Sequence, residues 1–173
     1  MKKKTFYIIL TLLFIFIFVL LFRGMHNVNV YKPSEIKNKN LVEFSSKDLF
    51  LNKNINIKEL LVKKNFTIIN IWSSWCVPCK LEHEKLMYLS NLENLTIVGL
   101  NYKDKPTNAK KFINDLGNPY SKILLDPDGT ISIQLGAYGV PETFLIKKYS
   151  KILKKYIGEL TIEQTLEIEK IIN

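Results

Sequence analysis

The longest uninterrupted apolar stretch of the chain runs from Phe6 to Phe22, with no charge and with Thr11 as its only clearly polar position. As a helix rising about 1.5 Å per residue it covers roughly 26 Å, within the range that crosses a bilayer core. Residues 24–40 are polar, rich in Lys and Asn, and contain Pro33; they have the composition of a tether. From residue 41 onward apolar residues return in short blocks separated by turn signals, the pattern of a folded domain. The expected organisation is therefore an anchor over 1–23, a linker over 24–40 and one domain over 41–173.

Within the domain, weak alternation over Leu41–Phe44 and Ile55–Ile57 predicts a small hairpin, and Lys58–Lys64 a short helix. Phe66–Ser73 and Leu95–Asn101 are continuous β-branched and apolar runs, as buried strands require. Between them the segment from Cys76 to about Asn91 predicts a helix. Its expected inward residues are Leu81, Leu86, Met87 and Leu89; Glu82, Glu84 and Lys85 are expected outward. Thr107–Leu116 predicts a second helix, stopped by Gly117. Ile123–Leu125 is a short strand leading into the turn Asp126-Pro-Asp-Gly129. Thr143–Ile146 and Ile152–Ile157 predict an antiparallel pair. The last helix opens at Thr161 on a Thr-Ile-Glu-Gln capping box, with Ile162, Leu166, Ile168 and Ile172 expected to face the core. The order β-α-β-α-β-β-α is an α/β pattern whose first half alternates as a parallel sheet does.

Charge refines this picture. The net charge is +9, but Lys2, Lys3, Lys4 and Arg23 flank the apolar segment and every acid lies beyond it. The remainder carries 21 basic against 16 acidic residues, or +5. Its lysines are scattered among Asn and Glu, and no block resembles a nucleic-acid-binding arm. Lysines ahead of the apolar segment keep the N-terminus in the cytoplasm, which places the domain on the far side of the membrane. A cleaved signal peptide would have a shorter apolar core and a small-x-small site; Arg23-Gly-Met-His-Asn-Val offers none, so the expected state is an uncleaved anchor.

The candidate chemistry lies in Cys76-Val-Pro-Cys79, the only two cysteines of 173 residues. A predicted strand delivers them to a predicted helix start, the context of a redox pair. A cysteine there faces the positive end of the helix dipole and free backbone N–H groups, both of which favour the thiolate that attacks disulfides. Cys76 is thus the expected nucleophile, and Cys79, one turn inside, the residue that resolves the mixed disulfide. Pro78 suits the first helical turn, and Trp75 would shield the pair. A static disulfide across two residues would constrain little chain. A zinc site using Cys76, Cys79 and His83 lacks a fourth ligand, and His83 is expected to be a partly exposed helix residue. No cofactor is expected beyond the disulfide itself. Pro141, entering a strand after Gly139-Val140, is a candidate for a cis bond.

Two stretches, Asn70-Ile-Trp-Ser-Ser-Trp-Cys-Val-Pro-Cys-Lys-Leu-Glu-His83 and Tyr138-Gly-Val-Pro-Glu-Thr-Phe-Leu-Ile146, resemble the thioredoxin superfamily. More narrowly they resemble its membrane-anchored DsbE (CcmG) group, with the TlpA and ResA relatives; the likeness covers roughly residues 41–173 and the anchor. It implies a thioredoxin-like fold, a central mixed sheet flanked by helices, behind an N-terminal transmembrane helix. It implies that Pro141 is a cis-proline facing the Cys pair, and that Glu82 and Glu142 occupy the acidic positions of that group. A carboxylate near a thiolate raises the thiol pKa and can relay protons, in opposition to the helix dipole. Where true thioredoxins carry a buried Asp, this chain has Asn70; Lys147-Lys148-Tyr-Ser also departs from the DsbE pattern, and the N-terminal hairpin matches it poorly. The implied function is a thiol:disulfide oxidoreductase on the periplasmic side of a bacterial inner membrane. Its implied substrates are apocytochrome c or a haem-ligation partner, and its electron donor a DsbD- or CcdA-type membrane reductant. A general extracytoplasmic oxidoreductase and a thioredoxin-fold metal carrier are the competing functions; the carrier class typically uses a longer cysteine spacing and a downstream His, which this chain lacks.

Overall fold

A computed structural model describes residues 2–26 and 39–173. It has two units. The first is helix α1 (Lys2–His26); its described side chains, Lys3–Gly24, are exposed, and the apolar run from Phe6 to Phe22 covers every side of it, making it a candidate membrane anchor. Most of the expected linker, residues 27–38, lies outside the described residues.

The second unit is built on a five-stranded sheet of order β5-β4-β3-β6-β7. Its strands are β3 (Phe66–Trp72), β4 (Leu95–Tyr102), β5 (Lys122–Asp126), β6 (Glu142–Lys147) and β7 (Lys151–Ile157). β3, β4 and β5 run parallel, β6 is antiparallel to β3, and β7 is antiparallel to β6. Strands β1 (Ser45–Lys47) and β2 (Asn54–Asn56) form a separate hairpin, displaced by a few residues from its expected place. Helices α3 (Val77–Leu89), α4 (Pro106–Leu116) and α6 (Ile162–Ile172) supply Leu86, Leu89, Phe112, Ile113 and Ile168 to one core, with Ile68, Trp72, Ile97 and Leu145 of the sheet. Helix α2 (Ile57–Leu61) covers the other face over Ile69, Ile71, Val98, Leu100 and Phe144. Burial on both faces explains why β3 and β4 are continuous apolar runs instead of alternating ones. The architecture is a thioredoxin-like α/β fold.

A short helix, α5 (Thr130–Gln134), was not expected after the Asp126-Pro-Asp-Gly turn. The buried Asp126 carboxylate caps it, accepting from the Ile131 and Ser132 amides and from the Ser132 hydroxyl. The Thr161 capping box forms as expected, with Thr161 Oγ1 and Gln164 Oε1 accepting reciprocally. The inward face of α6 differs from expectation: Thr165, Ile168 and Ile172 are buried, whereas Ile162 and Leu166 are exposed. A three- and four-residue stripe from Thr165 to Ile172 is enough to meet the sheet, which turns the other two residues outward.

Candidate active site

The site lies where β3 runs out at the edge between two loops. After Trp72 the chain turns, with the Cys76 amide donating to the Ser73 carbonyl at 3.2 Å. The loop from β4 to α4 braces this turn. The Asp104 carboxylate accepts from the Ser74 amide at 2.7 Å, from its hydroxyl at 2.8 Å and from Asn101 Nδ2 at 3.1 Å, and the Trp75 indole N–H donates to the Lys103 carbonyl at 3.1 Å. The Trp75 ring is thereby held in place while the residue remains 57% exposed. Beside it a groove of about 370 Å³ opens between Lys80 and the Asn108–Leu116 face of α4.

Cys76 is the N-cap residue of α3, its sulfur accepting from the Cys79 amide at 3.1 Å, and Pro78 occupies the first turn. No acidic residue lies in that turn, so the helix dipole acts on Cys76 without a local counter-charge. The two cysteines form a disulfide and are 5% and 2% exposed.

Glu82 corrects the expected phase of α3. It is fully buried and His83 is buried beside it, whereas Leu81 is 58% exposed. The reason is that the interior holds partners for both polar residues. Glu82 Oε1 accepts from Asn70 Nδ2 at 2.8 Å and Oε2 from the Leu160 amide at 2.9 Å, while His83 Nε2 pairs with the Gly117 carbonyl at 3.1 Å. The His83 ring also lies edge-on to Phe112. Burial pushes the Glu82 pKa up to about 7 against the lowering effect of its two hydrogen bonds; the nearby Glu159 raises it and Lys85 lowers it. Burial also lowers the pKa of His83. Asn70 is locked in turn: its Oδ1 accepts from the Tyr120 hydroxyl at 2.9 Å and its Nδ2 also donates to Thr143 Oγ1 at 3.0 Å. Gly99, paired with Asn70 across the sheet, makes room for this arrangement. A Cβ there would lie 2.7 Å from Trp72 Nε1 and 3.1 Å from the Tyr120 ring.

Pro141 follows a cis peptide bond from Val140. Glu142 pairs with Ile71 in the β3–β6 register, which sets Pro141 level with the end of β3 that leads into the Cys pair. Val140 packs against the cluster containing both cysteines. Glu142 is 1% exposed; its Oε1 accepts from the Tyr138 amide at 2.6 Å and the Gly139 amide at 3.1 Å, and its Oε2 lies 2.6 Å from Lys155 Nζ. The sequence-predicted residues Trp75, Cys76, Cys79, Glu82, Pro141 and Glu142 thus gather at one end of the sheet. Asp104, Tyr120, Thr143 and Lys155 join them without having been singled out. Thr143 lies within the quoted Tyr138–Ile146 stretch, and the predicted pairing of Thr143–Ile146 with Ile152–Ile157 brings Lys155 near Glu142 only once its register is known. Among the described residues no group of three or more His, Cys, Asp or Glu side chains could hold a metal.

Comparison with known proteins agrees with this geometry. The Redoxin family model matches residues 37–171. The thiol:disulfide interchange protein DsbE of Tatumella citrea is 34% identical over 167 residues, covering 94% of this chain and 90% of its own. That of Haemophilus influenzae is 37% identical over 138 residues, covering 80% and 71%. Among solved structures, a DsbF homologue from Corynebacterium diphtheriae superposes with a TM-score of 0.69 at 22% identity, covering 84% of this chain and 96% of its own; it shares the fold.

Proposed function

Because this chain belongs to the Redoxin family and, within it, to the DsbE thiol:disulfide interchange proteins, we propose that it is a membrane-held reductant of protein disulfides. The observation that carries the proposal is the Cys76–Cys79 disulfide at the start of α3 with a carboxyl of near-neutral pKa buried one turn further on.

In the reduced form the Cys76 thiolate attacks one sulfur of a substrate disulfide and forms a mixed disulfide, releasing the other substrate sulfur as a thiolate that takes a proton from water. Glu82, as carboxylate, accepts the Cys79 thiol proton. The Cys79 thiolate then attacks Cys76 Sγ, closing the intramolecular disulfide and expelling the second substrate thiolate. Two electrons pass to the substrate, and the protein is left in the oxidised form described above. A carboxyl near pKa 7 suits this transfer, since a general acid–base works best near the ambient pH. Pro141 and Val140 form the wall against which an extended substrate segment lies as an added strand; Trp75 provides a flat surface beside it, and Glu142 orders the wall.

The proposed organisation is an anchor over 1–23, a tether over 24–40 and the domain over 41–173. The anchor is uncleaved in the bacterial inner membrane, with its N-terminus cytoplasmic and the domain periplasmic. That compartment oxidises thiols, while a C-x-x-C-H haem site must be reduced before haem attaches. The proposed substrates are accordingly apocytochrome c or a haem-ligation partner, and the proposed electron source is a DsbD- or CcdA-type membrane protein. The test is Cys79→Ala in membranes. It should accumulate a dithiothreitol-sensitive adduct through Cys76 with a c-type apocytochrome or a ligation protein. Adducts confined to unrelated secreted proteins would refute the substrate assignment and favour a general oxidoreductase.

A further inference from the structure

Lys155 stands in β7 with its side chain only 7% exposed, an unusual fate for a lysine. Every group around its ammonium belongs to the segment that carries Pro141 or to the strand that follows it. Nζ lies 2.6 Å from Glu142 Oε2, donates to the Gly136 carbonyl at 2.7 Å, and sits 4.3 Å from the centre of the Tyr138 ring and 5.3 Å from that of Phe144. Gly136 and Tyr138 precede the proline, and Glu142 and Phe144 follow it. The second oxygen of Glu142 folds back onto the Tyr138 and Gly139 amides. One buried cation therefore ties both arms of the loop together, reaching across the sheet from its register partner Phe144 to the diagonal Glu142.

We propose that Lys155 is a positioning residue of the exchange reaction, a clamp that holds the Gly136–Pro141 loop in the shape against which the substrate's extended segment docks. Desolvation offsets much of the attraction within a buried ion pair, so what this pair supplies is geometry more than stability. Its second partner, the Gly136 carbonyl, is a loop atom that a pair serving only to join β6 and β7 would not need. The inference rests on the reading of Pro141 as the substrate wall.

The test is single-turnover reduction, by the pre-reduced full chain in detergent micelles, of a synthetic peptide carrying an oxidised Cys-x-x-Cys-His loop. Three variants are compared with the parent. Lys155→Met combined with Glu142→Gln removes both charges, so it leaves no uncompensated ion to unfold the domain. Lys155→Arg keeps a cation able to reach Glu142 and Gly136. Pro141→Ala alters the wall itself. The double variant should raise the half-saturating peptide concentration about tenfold, the scale of one charged buried hydrogen bond, with a saturating rate within about twofold of the parent. Lys155→Arg should keep the half-saturating concentration close to that of the parent. In the double variant, hydrogen exchange of the Tyr138 and Gly139 amides should also be faster, about tenfold or more, than in a Glu142→Gln control, which loses their anionic acceptor but keeps the Lys155–Gly136 bond. An unchanged half-saturating concentration in the double variant, with Pro141→Ala raising it, overturns the clamp and leaves the wall reading standing. If Pro141→Ala also leaves it unchanged, the wall reading fails and the clamp falls with it.

Discussion

Glu82 should make the stability of this domain fall as pH rises through the weakly acidic range. Its carboxyl has an ordinary value of 4.5 and a folded value of about 7. The native state therefore holds the proton more tightly than the unfolded chain does. The contribution is fully present below about pH 4.5, declines as pH climbs from there to about 7, and is gone above it. A difference of about 2.5 units at about 1.36 kcal/mol each gives a total near 3 kcal/mol, with no discount for solvent because the residue is fully buried. The perturbation is Glu82→Gln, which cannot titrate. Its own cost, from an amide N–H facing either the Leu160 amide or Asn70 Nδ2, is about 1–3 kcal/mol and independent of pH. The assay is urea unfolding of the oxidised protein, followed by tryptophan fluorescence, at intervals from pH 4 to pH 8. Subtracting the variant removes contributions common to both proteins, including that of His83, whose lowered pKa acts at the acid end with the opposite sign. The parent-minus-variant difference should fall by about 3 kcal/mol between pH 4.5 and 7 and then level off. A difference that stays flat within about 1 kcal/mol, or that rises with pH, would refute the argument that burial governs this carboxyl.

Two further substitutions probe the scaffold around the pair. Gly99→Ala forces a methyl to within 2.7 Å of Trp72 Nε1 and 3.1 Å of Tyr120; it should cost about 1–3 kcal/mol in denaturant unfolding, and an unchanged midpoint would show that the two rings give way freely. Asp104→Ala strips the Ser74 amide and hydroxyl of their acceptor; it should cost about 2 kcal/mol and slow peptide-disulfide reduction several-fold, whereas an unaltered rate would mean that this brace does not set the geometry of Trp75 and Cys76.

The Cys pair and the strands around it were legible because their signals are local. A continuous apolar run marks a strand buried on both faces, and two cysteines at a strand-to-helix junction carry their chemistry with them. The phase of α3 was not legible, because Leu81 and Glu82 differ by one position and ordinary hydrophobicity puts the leucine inside. What reverses them is a set of partners remote in sequence: Asn70, presented by β3, and the Leu160 amide ahead of α6. Asn70 itself could be recognised as a departure from the buried Asp of thioredoxins, yet its lock on Tyr120 depends on the space above Gly99. Lys155 is one of many scattered lysines until strand register sets it diagonal to Glu142. Helix α5 is illegible for a different reason. At five residues it has no periodicity, and its only mark is Asp126, a cap whose targets lie five and six positions downstream.

The two carboxylates of the site have different electrostatic fates, and the difference bears on the direction of electron flow. Glu142 is matched by Lys155 at 2.6 Å and by two loop amides, so little of its charge is left to act on a sulfur. Glu82 has hydrogen-bond donors but no ion-pair partner, because the nearby Lys85 is engaged with Glu159 at 2.9 Å. It follows Cys79 at a spacing of three residues on one helix, which places the two Cβ atoms roughly 5–6 Å apart. Above pH 7 its anion therefore opposes a thiolate at Cys79, while the dipole of α3 favours one at Cys76. A strong oxidant of this fold arises when the reduced form is stabilised. On the proposed reading, a buried anion behind the pair withholds that stabilisation, so the disulfide is the more comfortable state and the dithiol the better donor. A chain that lowered only the nucleophile's pKa would stabilise its own reduced form and act as an oxidant; one that sets an acid with no ion-pair partner beside the resolving cysteine keeps an attacking thiolate and still gives its electrons away.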